Sequence, residues 1–322
     1  MNKTLKITLN IFLFLLIAGF GYYMVRSIIS DERTTSSNAE EHTFVSPYKK
    51  TNSFDADAEI LSFDIYENNI YVVLNNMISV FDLSGKHQHN FPIKIKAGVR
   101  DIIVDETAIY LLYPTGIDLY ALDGQRIGSW EACSDNADYC ALTTTNDYVF
   151  VTDAENKNIV QYDKQGGLVR FVKSPDGFII PSYAFDIISI NDTIYVANSG
   201  RHKIESYTTD GEFIASFGES GSGAGAFAGC CNPAYLAKSS GGHILTSEKG
   251  NPRISCYSRN GKFRTILFDV NMLGGGTEAY KMQVSGENIY IANKKTISVY
   301  SFDAALSEKS CGDCPMRKEC KK

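Results

Sequence analysis

The sequence is poor in histidine and in positive charge. Its 322 residues carry a formal net charge of −6 and contain five histidines, His42, His87, His89, His202 and His243. The negative charge provides no electrostatic footprint for nucleic acid, which argues against RNA or DNA as a partner. No histidine falls on the strands that the pattern described below places innermost, which argues against a three-histidine zinc site.

The sequence also lacks a complete nucleophile elbow and a phosphate-binding loop. The nearest approach to Gly-x-Ser-x-Gly is residues 218–222, which end in Ser222 where the second glycine is required. The glycine-rich run of residues 218–229 is followed by Asn232-Pro233 and a strand pattern, whereas a phosphate loop opens a helix. Loop flexibility explains this run better than phosphate binding.

One pattern of short strands recurs along most of the chain. Within Asp192 to Ala237, β-branched and aromatic residues alternate with polar ones, and Asp210-Gly211 supplies a tight turn. An aromatic residue closes the third strand of each copy, with a period of about 40 to 50 residues that is typical of propeller blades. The six aromatics are Phe81, Tyr120, Tyr162, Tyr207, Tyr257 and Tyr300. The sequence therefore predicts an all-β, six-bladed β-propeller over residues 53–308.

The strand that follows each long link is predicted to lie innermost. These strands are Ala58–Phe63, Val99–Val104, Tyr139–Thr143, Ala184–Ile190, Pro233–Lys238 and Ala279–Val284. Up-and-down geometry then places the interblade links and the turns between second and third strands on one face, called the link face here. The Asp-Gly turns lie on the opposite face and are interpreted as turn chemistry alone.

The link face is predicted to carry the functional residues. The candidate binding residues there are Arg100, Arg201, Cys230, Cys231, Asn232, Lys249 and Arg253.

The segment Ser216 to Ala237 resembles the link between NHL repeats, in which Phe-Gly and a glycine-rich loop lead to an Asn-Pro. The run from Gly229 to Pro233, Gly-Cys-Cys-Asn-Pro, with Ser247 to Gly250 and Pro252-Arg253, resembles a bacterial subgroup of NHL-like six-bladed propellers. The resemblance is sharp over Asp192 to Phe263 and diffuse over Ala58 to Phe302. It implies the propeller fold, whereas proteins with this fold include scaffolds, RNA binders and enzymes.

Eight cysteines are many for a chain kept in a reducing compartment. Cys133 and Cys140 bracket one predicted link, and their proximity predicts a disulfide. Cys230 and Cys231 are adjacent, and three interpretations stay open for them. Each pairs with another cysteine, such as Cys133 or Cys140; or they form a strained vicinal disulfide; or they bind a soft metal as thiolates.

The tail, residues 309–322, carries Cys311, Cys314 and Cys320. A Cys-x2-Cys step suits a metal or a redox dithiol, and these three cysteines are the candidate metal ligands. Pro315 stands where heme attachment requires histidine, and no histidine follows the tail. A small disulfide knot with one free thiol is the alternative.

The N-terminus predicts a membrane anchor. Residues 7–25 contain no charged residue and follow Lys3 and Lys6. This uncharged run is long enough to span a bilayer as a helix. A cleaved signal peptide is the alternative, although its apolar core is usually shorter. We predict an anchor at residues 1–29, a polar tether at residues 30–52 in which residues 43–48 add a closing strand, and a propeller outside the cytoplasm at the cell membrane.

The sequence favours a binding module over an enzyme. We predict a membrane-tethered propeller that binds a protein partner, with redox or metal handling through its cysteines as the sharper hypothesis. The alternative is a calcium-dependent lactonase or lyase centred on the channel, with Asp101, Asp186 and Asn232 as an oxygen ligand set.

Overall fold

The computed structural model describes residues 13–22, 44–93, 95–96 and 98–306. The chain divides into one unit over Met1–Phe44 and a second over Val45–Lys322. Residues 13–22 are helical, and within the described residues there is no helix long and apolar enough to cross a membrane. The predicted transmembrane helix is therefore unconfirmed. Much of the anchor, most of the tether and all three tail cysteines lie outside the described residues.

The described part of the second unit contains six four-stranded antiparallel sheets, each of which is one blade. In blades one to five the four strands follow chain order from the innermost to the outermost strand. Blade one comprises β2 (Ser62–Tyr66), β3 (Asn69–Val73), β4 (Ile78–Asp82) and β5 (His87–Phe91); blade two comprises β6 (Asp101–Val104), β7 (Ile109–Tyr113), β8 (Gly116–Tyr120) and β9 (Arg126–Glu131); blade three comprises β10 (Tyr139–Thr144), β11 (Tyr148–Asp153), β12 (Asn158–Asp163) and β13 (Leu168–Val172).

The second half of the ring repeats this arrangement, with short 3-10 turns at Pro181–Tyr183 and Ser199–Arg201. Blade four comprises β14 (Ile187–Ile190), β15 (Thr193–Asn198), β16 (Lys203–Thr208) and β17 (Phe213–Phe217); blade five comprises β18 (Tyr235–Lys238), β19 (Ile244–Glu248), β20 (Arg253–Tyr257) and β21 (Phe263–Phe268); blade six comprises β22 (Met282–Ser285), β23 (Asn288–Asn293), β24 (Thr296–Phe302) and, as its outermost strand, β1 (Tyr48–Asp55). The six-bladed propeller is confirmed.

An N-terminal strand closes the ring. β1 pairs antiparallel with β24, from Tyr48 opposite Phe302 to Asp55 opposite Thr296. Closure by an early segment is as predicted, but β1 begins at Tyr48, the last residue of the predicted segment 43–48, and runs to Asp55. The end of the predicted tether therefore belongs to the propeller. Pairing removes the open edge that the last blade would otherwise present.

Apolar residues pack between successive blades. Six apolar clusters of the described residues each join two neighbouring blades, including the pair of blade six and blade one. β3 and β7, for example, contribute Val73 and Ile109 to the cluster between blades one and two, and both side chains are fully buried. Because every blade is covered on both faces, most residues of the second and third strands are buried, including polar ones in blades four and five.

The glycine of each Asp-Gly-type turn also has a packing role. Gly124 has a φ of +85°, and a Cβ placed there would lie 2.4 Å from the Phe91 ring of the preceding blade. Gly261 is in the same position against Phe217. These glycines allow the positive φ and also leave room for an aromatic side chain of the neighbouring blade. The interpretation as turn chemistry alone was therefore incomplete.

Candidate functional site

Carboxylates from three inner strands join neighbouring blades at the propeller axis. Asp64 accepts a hydrogen bond from the Val104 backbone N at 2.8 Å, and Asp101 accepts one from Leu142 N at 3.3 Å. Asp186 accepts one from Leu236 N at 2.6 Å. Each donor lies on the inner strand of the next blade in the chain. The three carboxylates therefore have a structural role as interblade clamps.

Lys281 crosses the axis from the entry of blade six. Its Nζ forms an ion pair with Asp101 of blade two and donates to the Ser62 hydroxyl of blade one at 2.8 Å. Burial lowers the pKa of Lys281, but the charges of Asp101 and Asp186 outweigh that effect, and the pKa is raised overall. The lysine is therefore held as a cation at the axis.

Two of the clamp carboxylates have perturbed pKa values. Burial raises the pKa of Asp64 to about 7, although the Val104 and Ile65 backbone N–H groups oppose the rise. Burial likewise raises the pKa of Asp186 to about 7, against the favourable charge of Lys281. Near neutral pH both groups can exist in either protonation state.

The channel contains a cavity of about 310 Å³ along the inner strands. Its lining runs from Lys281 to the strand ends at Tyr66, Thr144 and Lys238, so it extends away from the link face. Asp101 and Asp186 line this cavity and Asn232 does not. Among the described residues no group of three or more His, Cys, Asp or Glu side chains could hold a metal ion. Of the three predicted calcium ligands, the fold therefore brings Asp101 and Asp186 to the channel cavity but not Asn232.

Arg100 and Tyr183 stack on each other at the link face. The Arg100 guanidinium lies over the Tyr183 ring at 5.0 Å from the centroid, and its Nη2 is 3.2 Å from Asp138 Oδ1. Tyr183 nevertheless keeps 57% of its surface exposed. Ser182 and Tyr183 both have positive φ values, 59° and 58°. This uncommon conformation turns the tyrosine ring outward beside the axis.

Cys230 and Cys231 lie next to this feature. Their Sγ atoms are 2.7 Å apart, and Cys231 Sγ is 3.5 Å from the Ser182 hydroxyl. Cys230 is exposed, whereas Cys231 is buried among Ala184, Ala234 and Ala279. We call Ser182, Cys230, Cys231 and Lys249 the dithiol cluster.

The two thiols of the cluster differ in acidity. The hydrogen bond from Cys231, followed by its charge, raises the pKa of Cys230. Burial alone would raise the pKa of Cys231, but hydrogen bonds from Cys230 and Ser182 and the charge of Lys249 lower it overall. The geometry therefore favours a single negative charge on Cys231, with the remaining proton on Cys230.

Asn232 fixes the segment that carries the two cysteines. Its side-chain amide donates to the backbone oxygens of Ala228 at 2.6 Å and Lys249 at 2.9 Å, and its Oδ1 accepts from Lys249 N at 2.9 Å. The following Asn232-Pro233 peptide bond is cis. Asn232 is itself buried, so the structure gives it a scaffolding position, and its predicted role in partner binding stays a prediction.

Arg253 is also internal. It forms a two-point ion pair with Glu248, Nε to Oε1 at 2.8 Å and Nη2 to Oε2 at 2.9 Å, and donates to the backbone oxygens of Gly223 and Ala226. Arg253 therefore fastens the glycine-rich link to blade five. Arg201 similarly donates to the backbone oxygens of Asp176 and Gly177 in another link. Partner binding by either arginine stays a prediction.

The predicted disulfide between Cys133 and Cys140 is not present, since both residues are free thiols. Cys133 Sγ donates to the Tyr162 hydroxyl at 3.1 Å, and Cys140 Sγ faces the Asp138 backbone oxygen at 3.5 Å. Pairing of Cys230 or Cys231 with Cys133 or Cys140 is likewise not observed, as all four are free. The predicted metal ligands Cys311, Cys314 and Cys320 lie outside the described residues.

Sequence reasoning missed Ser182, Tyr183 and Lys281. Lys281 lies on a strand that was predicted to be innermost. A single lysine on an inner strand could have indicated a cation at the propeller axis. Ser182 and Tyr183 follow Pro181 in a link between blades. No sequence pattern predicts two successive non-glycine residues with positive φ.

Several solved structures are similar in fold to this chain. The chain is similar to virginiamycin B lyase from Staphylococcus aureus, with 14% identity over 79% of this chain and 99% of that one and a TM-score of 0.54. It is also similar to a Bacteroides thetaiotaomicron protein of unknown function, with 12% identity over 80% and 75% of the two chains and a TM-score of 0.56. The WD40 domain of Neurospora crassa Pan2 matches with 9% identity over 79% and 95% and a TM-score of 0.54. These similarities show the fold alone.

No protein-family model and no curated protein sequence matches the chain.

Proposed function

We propose that this chain is a membrane-tethered, extracytoplasmic propeller that binds a protein partner through its link face. The observation that carries the proposal is the Tyr183 ring, which is 57% exposed yet held by Arg100 beside the axis. Tyrosine and arginine are enriched among the residues that dominate protein interfaces, because they combine a large contact area with polar groups. Ile179, 47% exposed in the same link, adds apolar surface.

The local backbone supports this role because it orders the surface before binding. Tyr183 and Ser182 hold positive φ values, which cost free energy in non-glycine residues and persist only where surrounding contacts determine them. The Arg100 stack and the Arg100–Asp138 ion pair supply such contacts from blades two and three. A side chain ordered in advance loses less conformational entropy when a partner binds.

The link sequence supports a narrower assignment. On our proposal the chain belongs to the bacterial NHL-like subgroup that it resembles, and the link sequence from Gly229 to Pro233 supports this assignment. The free thiols of Cys230 and Cys231 lie on the proposed binding face, which supports the redox or metal-related form of the function.

Site-specific photocrosslinking tests the proposed face. A photoreactive phenylalanine analogue at position 183 of the full chain, in its native membrane, should yield a discrete crosslinked protein that Arg100→Ala weakens. The same analogue at Leu122, which is 37% exposed in a turn of the opposite face, is the matched control. Equal crosslinking at both positions, or none at position 183, would contradict binding through the link face.

Accessibility tests the proposed location. Exposed Cys230 should react with a membrane-impermeant maleimide in intact cells once the outer permeability barrier is opened. A Cys230→Ser variant sets the background from the other cysteines. Labelling of Cys230 only after the cytoplasmic membrane is lysed would place the propeller in the cytoplasm and overturn the proposed location.

The alternative function is a channel-centred lactonase or lyase. The cavity lined by Asp101, Asp186 and Lys281 favours it, and a lyase is among the similar structures. Against it, the carboxylates are occupied as interblade clamps. A histidine-to-alanine variant of virginiamycin B lyase is catalytically inactive, whereas no histidine is among the described residues that line this cavity. We expect no turnover of quinupristin by the full chain; turnover that Asp101→Asn abolishes would favour the enzyme.

A further inference from the structure

The dithiol cluster combines an exposed and a buried sulfur in direct contact. Cys230 is exposed, Cys231 is only 1% exposed, and their Sγ atoms are 2.7 Å apart. A disulfide bond is about 2.05 Å long, so the two sulfurs need to move only a little to reach bonding distance when an external disulfide accepts their two electrons. The pair is thus arranged for reversible bond formation between its own two sulfurs.

The surroundings hold this pair in place without occupying the thiols. Asn232, with its three hydrogen bonds to Ala228 and Lys249, fixes the chain immediately after Cys231. Ala184, Ala234 and Ala279 surround the Cys231 sulfur with small apolar groups. Apart from Cys230, the Ser182 hydroxyl and the Lys249 ammonium lie against Cys231 Sγ. A purely structural cysteine would not require this polar contact and the nearby cation of Lys249.

The ligand set suits two-electron chemistry better than metal binding. Two thiols suffice for oxidation to a disulfide, whereas a structural zinc site takes four ligands. Among the described residues no cluster of three or more candidate ligands includes this pair.

We propose that Cys230 and Cys231 form a thiol–disulfide exchange site, with Cys230 as the entry sulfur and Cys231 as the resolving sulfur, for an external disulfide. This inference deepens the redox form of the proposed function and rests on the link face being reachable by that substrate.

The exchange proceeds in two steps. Cys230 passes its proton across the 2.7 Å contact to Cys231 and attacks one sulfur of the substrate disulfide. A mixed disulfide forms, and the other substrate sulfur leaves as a thiolate. The Cys231 proton passes to that thiolate or to water. The Cys231 thiolate then attacks Cys230 Sγ, closes the Cys230–Cys231 disulfide and releases the second substrate thiolate, which takes up a proton. Two protein thiols are oxidised and one substrate disulfide is reduced to two thiols.

The surroundings of Cys231 support its role as the resolving sulfur. A buried thiol is poorly placed to meet a substrate but well placed to attack a neighbouring sulfur. Lys249 and Ser182 stabilise its thiolate, and thiolate is the attacking species in exchange.

The test uses the full chain in detergent, oxidised glutathione as the substrate, and an acid quench followed by alkylation. Trypsin releases Ile204–Lys238, a peptide that contains Cys230 and Cys231 and excludes the other six cysteines. In the wild type this peptide should lose two hydrogens and resist alkylation, and reduced glutathione should reverse the change.

The single variants separate the two sulfurs. Cys231→Ser should accumulate a glutathione adduct on Cys230, and Cys230→Ser should react at least about tenfold more slowly because its remaining thiol is buried. Lys249→Gln should slow closure of the wild-type pair at neutral pH and shift its pH profile to higher pH. Cys133→Ser, which changes a different link, is the matched control and should leave closure of this peptide unchanged.

Three results would overturn the proposal. The first is a wild-type peptide that keeps a stable glutathione adduct. The second is a peptide whose thiols react only after denaturation while the chain is folded by circular dichroism. The third is equal reactivity of the two single variants. None of these results bears on crosslinking at position 183, so failure of the exchange site and failure of the proposed partner surface are distinguishable.

Discussion

Replacement of Arg253 by methionine should be the most destabilising change at the link face. Arg253 and Glu248 have side chains only 10% and 2% exposed and meet through two contacts of 2.8 and 2.9 Å. Removing one partner of a buried ion pair leaves an uncompensated charge and costs about 3–5 kcal/mol. For a domain of this size each kcal/mol lowers the melting temperature by roughly 2–4 °C, so Arg253→Met should melt roughly 6 to 20 °C lower.

The defect should depend on pH. Burial already raises the pKa of Glu248, although Arg253 opposes the rise. Without Arg253 the folded-state pKa rises further above that of the unfolded chain, so the protonated carboxyl favours folding. The stabilisation that this proton gives the variant is fully present below the unfolded-state pKa of Glu248. It is lost as the pH rises through the folded-state pKa of Glu248. Thermal melting of Arg253→Met should therefore approach the wild type at acidic pH and fall furthest behind at alkaline pH.

Two controls make this prediction refutable. Arg170 pairs with Asp210 at 3.6 Å, with side chains 40% and 72% exposed, so Arg170→Met should cost about 1 kcal/mol or less. The double variant Glu248→Gln with Arg253→Met should recover part of the loss, because no buried charge remains. Equal melting of Arg253→Met and Arg170→Met would refute the reasoning. Faster alkylation of Cys231 in folded Arg253→Met would show that the glycine-rich link is released as well.

Three further predictions concern the axis and the blade contacts. The folded-state pKa of Asp64 is about 7, against an ordinary 3.8, so the contribution of Asp64 to stability should fall as the pH rises from about 4 to about 7. Asp64→Asn should flatten that part of the plot of melting temperature against pH. An unchanged plot would contradict the raised pKa. Gly124→Ala should lose about 1–3 kcal/mol in chemical denaturation, because the new methyl group meets Phe91, whereas Gly128→Ala, which meets nothing within 4 Å, should be near neutral. Lys281→Met removes the cation that lowers the pKa of buried Asp186, so that pKa should rise further above about 7. The variant should therefore be destabilised more at pH 8 than at pH 5, measured by thermal melting; equal losses at both pH values would show that the charge is not responsible.

Much of the fold could be predicted because its signal is local and repeated. An aromatic closes the third strand of every blade, and a turn glycine follows it in blades one to five. In the structure these glycines pack against the preceding blade, as Gly124 does against Phe91 and Gly261 against Phe217. The sequence predicted that an N-terminal strand closes the ring of blades, but it did not predict where that strand begins and ends. The polar and apolar residues of 48–55 do not alternate cleanly, since β1 is an outer strand with most of its residues exposed.

The site was harder to predict because its contacts join residues far apart in the chain. Adjacent cysteines at 230 and 231 are visible in any sequence reading, but their environment comes from Ser182 and Lys249, which belong to other segments. Arg253 and Asn232 were visible as polar residues of the link face. Whether they face a partner or the protein interior depended on Glu248, Ala228 and the backbone of Lys249, which only the folded chain brings into reach.

The axial carboxylates show how one residue type can suggest two different roles. Asp64, Asp101 and Asp186 bond to backbone donors 40, 41 and 50 positions later, a separation of about one blade. An aspartate that recurs near the inner strands at the blade period therefore indicates a clamp between blades, whereas a metal site needs carboxylates with free oxygens directed at one point. In this channel the clamp oxygens accept backbone N–H groups and the Lys281 ammonium. A chemical role for the channel would require some of those bonds to break, whereas exchange at Cys230 and Cys231 breaks the substrate disulfide and the thiol S–H bonds and leaves the interblade hydrogen bonds in place.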